Sequence, residues 1–293
     1  MIADGDLVAL ERDVDDALTR GDDSGLRVLG YGEITVVLGW PRDEPAHACK
    51  RLPVFPDRDA FAAYATVQRD YLEHLETSGV RVVPTTLHAL DRPDGSVVGY
   101  CVQPVVPAST LLPEVLRASD PSVTHPAFDA IADAVLAATG PRVGLDAQVA
   151  NWTWHDGTLS YFDITTPMQL DDGGRPLLDV EVFLAPYPWP LRASIRRFVL
   201  PDVLARFTRP RDVLLDLAGN LHKERLAGWL PAALGAAAAR VSPPIGEEEV
   251  RRFYAHDARL WAAMLALRRL DRAWQRRVRR RPYPFLLPGR IER

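Results

Sequence analysis

Residues 144–165 read GLDAQVANWTWHDGTLSYFDIT. The runs 143–154 and 159–165 flank His155-Asp156-Gly157, which predicts a short hairpin. Asp146 and Asn151 stand directly before the first strand, and Asp163 stands at the end of the second. An Asn amide and an Asp carboxylate on adjacent strand ends can share one hard cation. Asp146 lies beside them without being needed as a ligand, which leaves it free to accept or orient a hydroxyl proton. Singly, each is a common cap or turn residue. Their joint order and spacing are what point to chemistry.

Upstream, residues 122–140 (SVTHPAFDAIADAVLAATG) carry Phe128, Ile131, Ala132, Val135 and Leu136 at helical spacing and stop at Gly140-Pro141. Nearer the N-terminus, 27–40 (RVLGYGEITVVLGW) reads as two strands around Gly30 and Gly32, where the backbone can approach a phosphate closely. A plain hairpin turn has the same pattern. Residues 47–55 (HACKRLPVF) predict a third strand carrying Lys50, a lysine among apolar neighbours that needs an anionic partner or an exit to solvent. The spacing then predicts a helix over 57–78 capped by Asp57, followed by strands over 80–90 and 96–106 joined by DRPDG. A short acidic helix is expected over 6–20, and mostly helix beyond about 190, broken by Pro210, Pro231 and Pro243-Pro244. The expected fold is α+β and two-lobed. Residues 1–25 form a helical extension, 26–106 a small β-rich lobe and 107–293 a larger α-helical lobe, with a hinge near 103–107.

The order of these pieces resembles the protein-kinase-like superfamily, and its aminoglycoside and choline phosphotransferase branch most. Ala48-Cys49-Lys50 is similar to the family's Ala-x-Lys, Asp146 and Asn151 to its Asp-x4-Asn, and Asp163-Ile164-Thr165 stands where the family has Asp-Phe-Gly. The resemblance covers residues 26–170. It implies ATP and Mg²⁺ as cofactors, with Gly30, Gly32 and Lys50 on the phosphates, Asn151 and Asp163 on the metal, and Asp146 as the catalytic carboxylate. It places the adenine against backbone groups of the hinge at Gln103 and Val105.

The departures are specific. Gly144-Leu145 replaces the His-containing pair before the catalytic Asp, Thr35 replaces the third glycine, and no Ala-Pro-Glu follows Asp163. On the small-lobe helix, Asp70, Glu73 and Glu76 lie opposite the apolar face, so Gln68 within that face is expected to meet Lys50, or else to cap a local backbone group. The resemblance implies a phosphotransferase acting on the hydroxyl of a small molecule or peptide. The departures leave open a pseudokinase, a nucleotide-binding scaffold or a helper protein without turnover.

The 293 residues, 47% of them hydrophobic and 25% charged, suit two domains or one domain of two lobes. A net charge of −4 gives no sign of nucleic-acid binding. No signal peptide and no apolar run long enough for a bilayer are present, so a cytoplasmic location with no membrane association is expected. Cys49 and Cys101 read as buried thiols. Only Lys50 and Lys223 are lysines among 35 basic residues, so arginine is strongly favoured and each lysine is more informative than usual. The arginines from Arg268 to Arg281 read as a solvated helix face, and Trp152, Trp154, Trp189, Trp229, Trp261 and Trp274 as core. Nothing in the sequence fixes an oligomeric state.

Overall fold

A computed structural model describes residues 2–31, 35–184, 192–193, 195–280 and 283. Helix α1, Asp4–Arg20, presents Leu7, Leu10, Val14 and Leu18 on one face and ends at Gly21 in the left-handed region (φ 74°). Five antiparallel strands follow: β1 Val28–Tyr31, β2 Val36–Trp40, β3 His47–Phe55, β4 Thr86–Asp91 and β5 Val97–Pro104, in the order β1-β2-β3-β5-β4. Helix α2, Arg58–Thr77, begins where the Asp57 carboxylate accepts the Ala60 amide at 2.8 Å.

Both faces of the sheet are covered, which explains why β5 is a continuous apolar run and does not alternate. Val98, Tyr100 and Val102 pack under α1, while Val97 and Cys101 face the α2 side with Leu52, Phe55, Tyr64, Tyr71 and Leu75. Gly99 falls on the crowded α2 side, where a Cβ would come within 2.8 Å of the Phe61 ring. One buried ion network fixes α1 to the sheet. Arg51 of β3 donates two hydrogen bonds of 2.8 Å to Glu11, whose carboxylate also accepts from Tyr100 Oη at 2.6 Å and Arg92 at 2.8 Å.

The strand expected over 80–90 begins only at Thr86. Pro84 interrupts it, and the preceding residues pair elsewhere: Val83 donates to Tyr161 O at 2.9 Å and Tyr161 donates to Arg81 O at 2.8 Å. That short segment therefore stitches the small lobe to the hairpin of the large one.

The large lobe contains α3 Leu112–Arg117, α4 Ala127–Ala138, the hairpin β6 Trp152–His155 and β7 Thr158–Tyr161, and α5 Val180–Leu184. Next come one π-helical turn at Ile195–Val199, then α6 Leu200–Phe207, α7 Pro210–Lys223, α8 Leu230–Ala238 and α9 Glu247–Arg277. Asp156 and Gly157 turn the hairpin with positive φ at both positions (47° and 74°). Pro210 and Pro231 open α7 and α8 from their first turns, where the missing amide hydrogen costs nothing. Phe128, Ile131, Val135, Trp152, Tyr161, Leu217, Leu221 and Ala233 form one core. The result is an α+β arrangement in two parts: a small antiparallel sheet with its helices, then a larger helical region.

Helix α9 leaves that core. Near its start Glu249 pairs with Arg211 of α7 at 2.8 Å; at its far end Arg276 donates to the Leu18 carbonyl of α1 at 3.2 Å. The guanidinium lies where a side chain on Gly21 would sit, 1.8 Å from the ideal Cβ position. Of the arginine run, Arg268 is buried rather than solvated, and Trp274 is 55% exposed rather than core. Trp189 and Arg281 lie outside the described residues. Cys49 and Cys101 are buried thiols, and burial pushes both up to about 12. Among the described residues no helix is long and apolar enough to cross a membrane.

Candidate active site

Register places Lys50 in the centre of the sheet, between Val37 of β2 and Cys101 of β5. Its Nζ donates to Asp163 Oδ1 at 2.5 Å, a contact between residues 113 apart in sequence. The two side chains are 18% and 30% exposed, so the pair sits on the wall of an opening and not in sealed core. Asp163 follows β7. Its strand is tied back by Phe162, whose amide donates to Asn151 O at 3.1 Å.

The loop bearing Asp146 is held from several sides. Asn151 Nδ2 donates to the Asp146 carbonyl at 3.1 Å, and the Gln148 amide donates to the Asp146 carboxylate at 3.2 Å. The Gly144 amide donates to Met168 O at 2.8 Å and the Leu145 amide to Phe207 O at 3.1 Å. Gly144 is needed for that approach, since a Cβ there would meet the Phe207 backbone at 3.0 Å. Two tyrosine hydroxyls of α2 complete the bracing: Tyr71 donates to Gly144 O and Tyr64 to Thr165 O, each at 3.0 Å. Helix α2 thus braces the Asp146 loop and the segment after Asp163. Tyr71→Phe orphans a buried carbonyl and is expected to cost about 1–3 kcal/mol. Urea denaturation showing unchanged stability would mean that this carbonyl is satisfied otherwise.

A cavity of about 310 Å³ opens beside Lys50 and Asp163, lined at that end also by Asp146, Gln148, Asp216 and Lys223. Asp216, Asn220 and Lys223 repeat at i, i+4 and i+7 on one face of α7. Lys223 Nζ donates to Gln148 Oε1 at 3.1 Å and Asn220 Nδ2 donates to the same oxygen at 3.2 Å. Burial pushes Asp216 up to about 6, against its bond to Gln148. Burial, then Asp216, then Asp163 raise Asp146 well above the usual carboxylate range.

Lys50, Asp146 and Asp163 therefore share one cavity, with Asn151 bonded to the Asp146 backbone. Gln68 is buried, but the partner of Lys50 is Asp163, and Gln68 Nε2 has no hydrogen-bond partner among the described residues. Lys50 needed an anion, and the carboxylate beyond β7 supplies it in place of a neutral amide. At the end of β5, Gln103 Nε2 donates to Thr85 Oγ1 at 3.0 Å and Phe162 O at 3.1 Å. The Val105 amide already donates to Ala46 O at 3.0 Å, and Pro104 has no amide hydrogen, so neither offers a donor to a base. Gly30 lies in β1, where a Cβ would meet nothing within 4 Å; Gly32 lies outside the described residues.

Sequence reading missed Tyr64, Tyr71, Gln148 and Asp216, and singled out Lys223 only for its rarity. The visible signal was α7 itself: Asp216, Asn220 and Lys223 fall on one helical face of a run otherwise rich in leucine.

No curated protein matches the chain. Among solved structures, one described as WaaP in complex with acyl carrier protein is similar at 18% identity, covering 73% of this chain and 95% of that one, with a TM-score of 0.35. A family of unknown function (DUF6206) has a profile that matches residues 9–272, and the chain belongs to that family.

Proposed function

We propose that the protein is an ATP- and magnesium-dependent phosphotransferase acting on the hydroxyl of a small molecule, akin to the aminoglycoside and choline phosphotransferase branch. The observation that carries this reading is the Lys50–Asp163 pair, closed across the sheet beside Asp146. On this reading residues 26–106 hold the nucleotide and 107–293 the acceptor, with 1–25 an extension clamped behind the sheet.

The residues suit the cofactors. Asp163 keeps Oδ2 and Asn151 keeps Oδ1 without hydrogen-bond partners among the described residues, and such oxygens are the donors a hard cation takes. Magnesium bound with ATP would neutralise phosphate charge. No trio of His, Cys, Asp or Glu gathers to hold a metal among the described residues, which fits an ion completed by phosphate and water. Lys50 then binds phosphate oxygens, and Asp146 orients the acceptor hydroxyl and takes its proton.

Titration calorimetry with ATP, with and without Mg²⁺, tests the reading. Lys50→Ala is expected to weaken nucleotide binding at least about tenfold, the loss of one charge-assisted contact. Asp163→Asn is expected to remove most of the magnesium dependence. Unchanged ATP affinity in both variants rejects the assignment. Gln68 at the small-lobe position where the family has Glu favours a second reading, a nucleotide-binding protein without turnover; ATP binding with no phosphate released to any acceptor or to water would select it.

A further inference from the structure

The cavity beside Asp146 carries a large apolar surface as well as charged groups, among them Lys50, Lys223, Arg206 and Asp257. Its apolar walls include Leu204 and Phe207 of α6, Phe253, Leu260 and Met264 of α9, and Leu178. The cavity-lining apolar residues of α6 are 200, 203, 204 and 207, and those of α9 are 253, 260, 261 and 264, with Asp257 between them on the same face of α9. Apolar helix faces normally close against one another. Phe128 and Leu217, on α4 and α7, are 1% and 2% exposed in the core. The cavity-lining residues of α6 and α9 are only half-buried. Apolar surface kept open beside a few convergent polar groups is the pattern of a ligand site. The expected seat of the adenine is elsewhere, because neither Gln103 nor Val105 lines this space.

We propose that the cavity binds a hydroxyl-bearing amphiphile, with its apolar body between α6 and α9 and its hydroxyl at the Asp146–Lys223 end. Binding itself is independent of the phosphotransferase reading; only the transfer step rests on that reading, and in it the amphiphile is the phosphate acceptor. The acceptor oxygen forms a bond to the γ-phosphorus of ATP, the bond from that phosphorus to the β-bridging oxygen breaks, the hydroxyl proton passes to the Asp146 carboxylate, and ADP leaves. Lys223, tied to Gln148 at 3.1 Å, supplies a cation at the hydroxyl's end of the cavity.

The test uses the full chain and linear 1-alkanols from butanol to decanol, with glycerol as the polar comparator. Affinity is read by saturation-transfer NMR, and phosphate transfer from ATP by phosphorus NMR. Affinity is expected to rise about fourfold per added methylene until the cavity is full, with glycerol binding far more weakly. Leu260→Glu is expected to flatten that series; if it does not fold, Leu260→Ser is expected to lower the slope. A series without length dependence, or one that Leu260 variants leave untouched, overturns the proposal. ATP binding that depends on Lys50, together with flat alkanol binding, rejects the amphiphile site alone. Length-dependent alkanol binding without ATP binding keeps the site and rejects the phosphotransferase reading.

Discussion

Asp146→Asn is expected to cut phosphate transfer by about 10²–10⁴-fold, the usual contribution of a positioned general base, while ATP affinity stays at the wild-type level. The geometry separates the two effects. Asp146 touches neither Lys50 nor Asp163 by hydrogen bond, and its carboxylate accepts only the Gln148 amide among the described residues. Its loop is held through backbone groups of Gly144 and Leu145 and by Asn151 on its own carbonyl, none of which the Asn side chain disturbs. Burial, Asp216 and Asp163 raise the carboxyl of Asp146, so its charged, proton-accepting form gains population only above the ordinary carboxylate range. Wild-type turnover is therefore expected to climb with pH along an acid limb that Asp146→Asn lacks. Stopped-time assays of product against pH check both points, and full turnover in the Asn variant would reduce Asp146 to a structural loop residue. Stability should run the other way for the cleft acids. Asp216, raised to about 6, favours the folded state at low pH, and that contribution is lost as pH rises through the raised value.

The largest stability effect is expected at Glu11. Its carboxylate is the common acceptor for Arg51, Arg92 and Tyr100. Glu11→Ala leaves Arg51, itself 7% exposed, without its anion, and a broken buried pair typically costs about 3–5 kcal/mol. Urea denaturation measures this; a loss below about 1 kcal/mol, the range of surface pairs, would mean Arg51 reaches another anion. Replacing both partners at once, with Glu11→Leu and Arg51→Met, is expected to restore much of the loss, because apolar side chains of similar volume can fill such a site. The pH dependence has a definite sign. Burial raises the Glu11 carboxyl, but the bonds from Arg51, Tyr100 and Arg92 outweigh it and hold it below the ordinary 4.5. The stabilisation is thus complete above about that value and disappears as pH falls through the lowered one.

The order of elements was legible because each leaves a local mark. Asp57 caps α2, prolines open α7 and α8, and the Asp156-Gly157 turn joins β6 to β7. Lys50, Asp146, Asn151 and Asp163 could be picked out by spacing. What spacing does not carry is partnership at long range. Lys50 needed an anion, and only the folded chain shows that Asp163 is closer than Gln68. Val80–Val83 reads as strand by composition yet pairs with β7, since the choice depends on an edge about 80 residues away. α1 reads as a loose acidic extension because a single Glu within a helix full of acids gives no sign that Arg51 waits beneath it. The hydroxyls of Tyr64 and Tyr71 were hidden within an apolar stripe, where a ring is expected and its polar tip is not.

Helix α9 is 31 residues long, about 46 Å of continuous rod at 1.5 Å per residue. One end is pinned to α7 by Glu249 and the other to the last turn of α1 by Arg276. The rod thus ties α1 to the helical region in addition to the bonds that already cross between the two halves, Val83 to Tyr161, Tyr71 to Gly144 and Tyr64 to Thr165. Any motion that lifts α1 from the far end of the rod must first pull Arg276 from the Leu18 carbonyl.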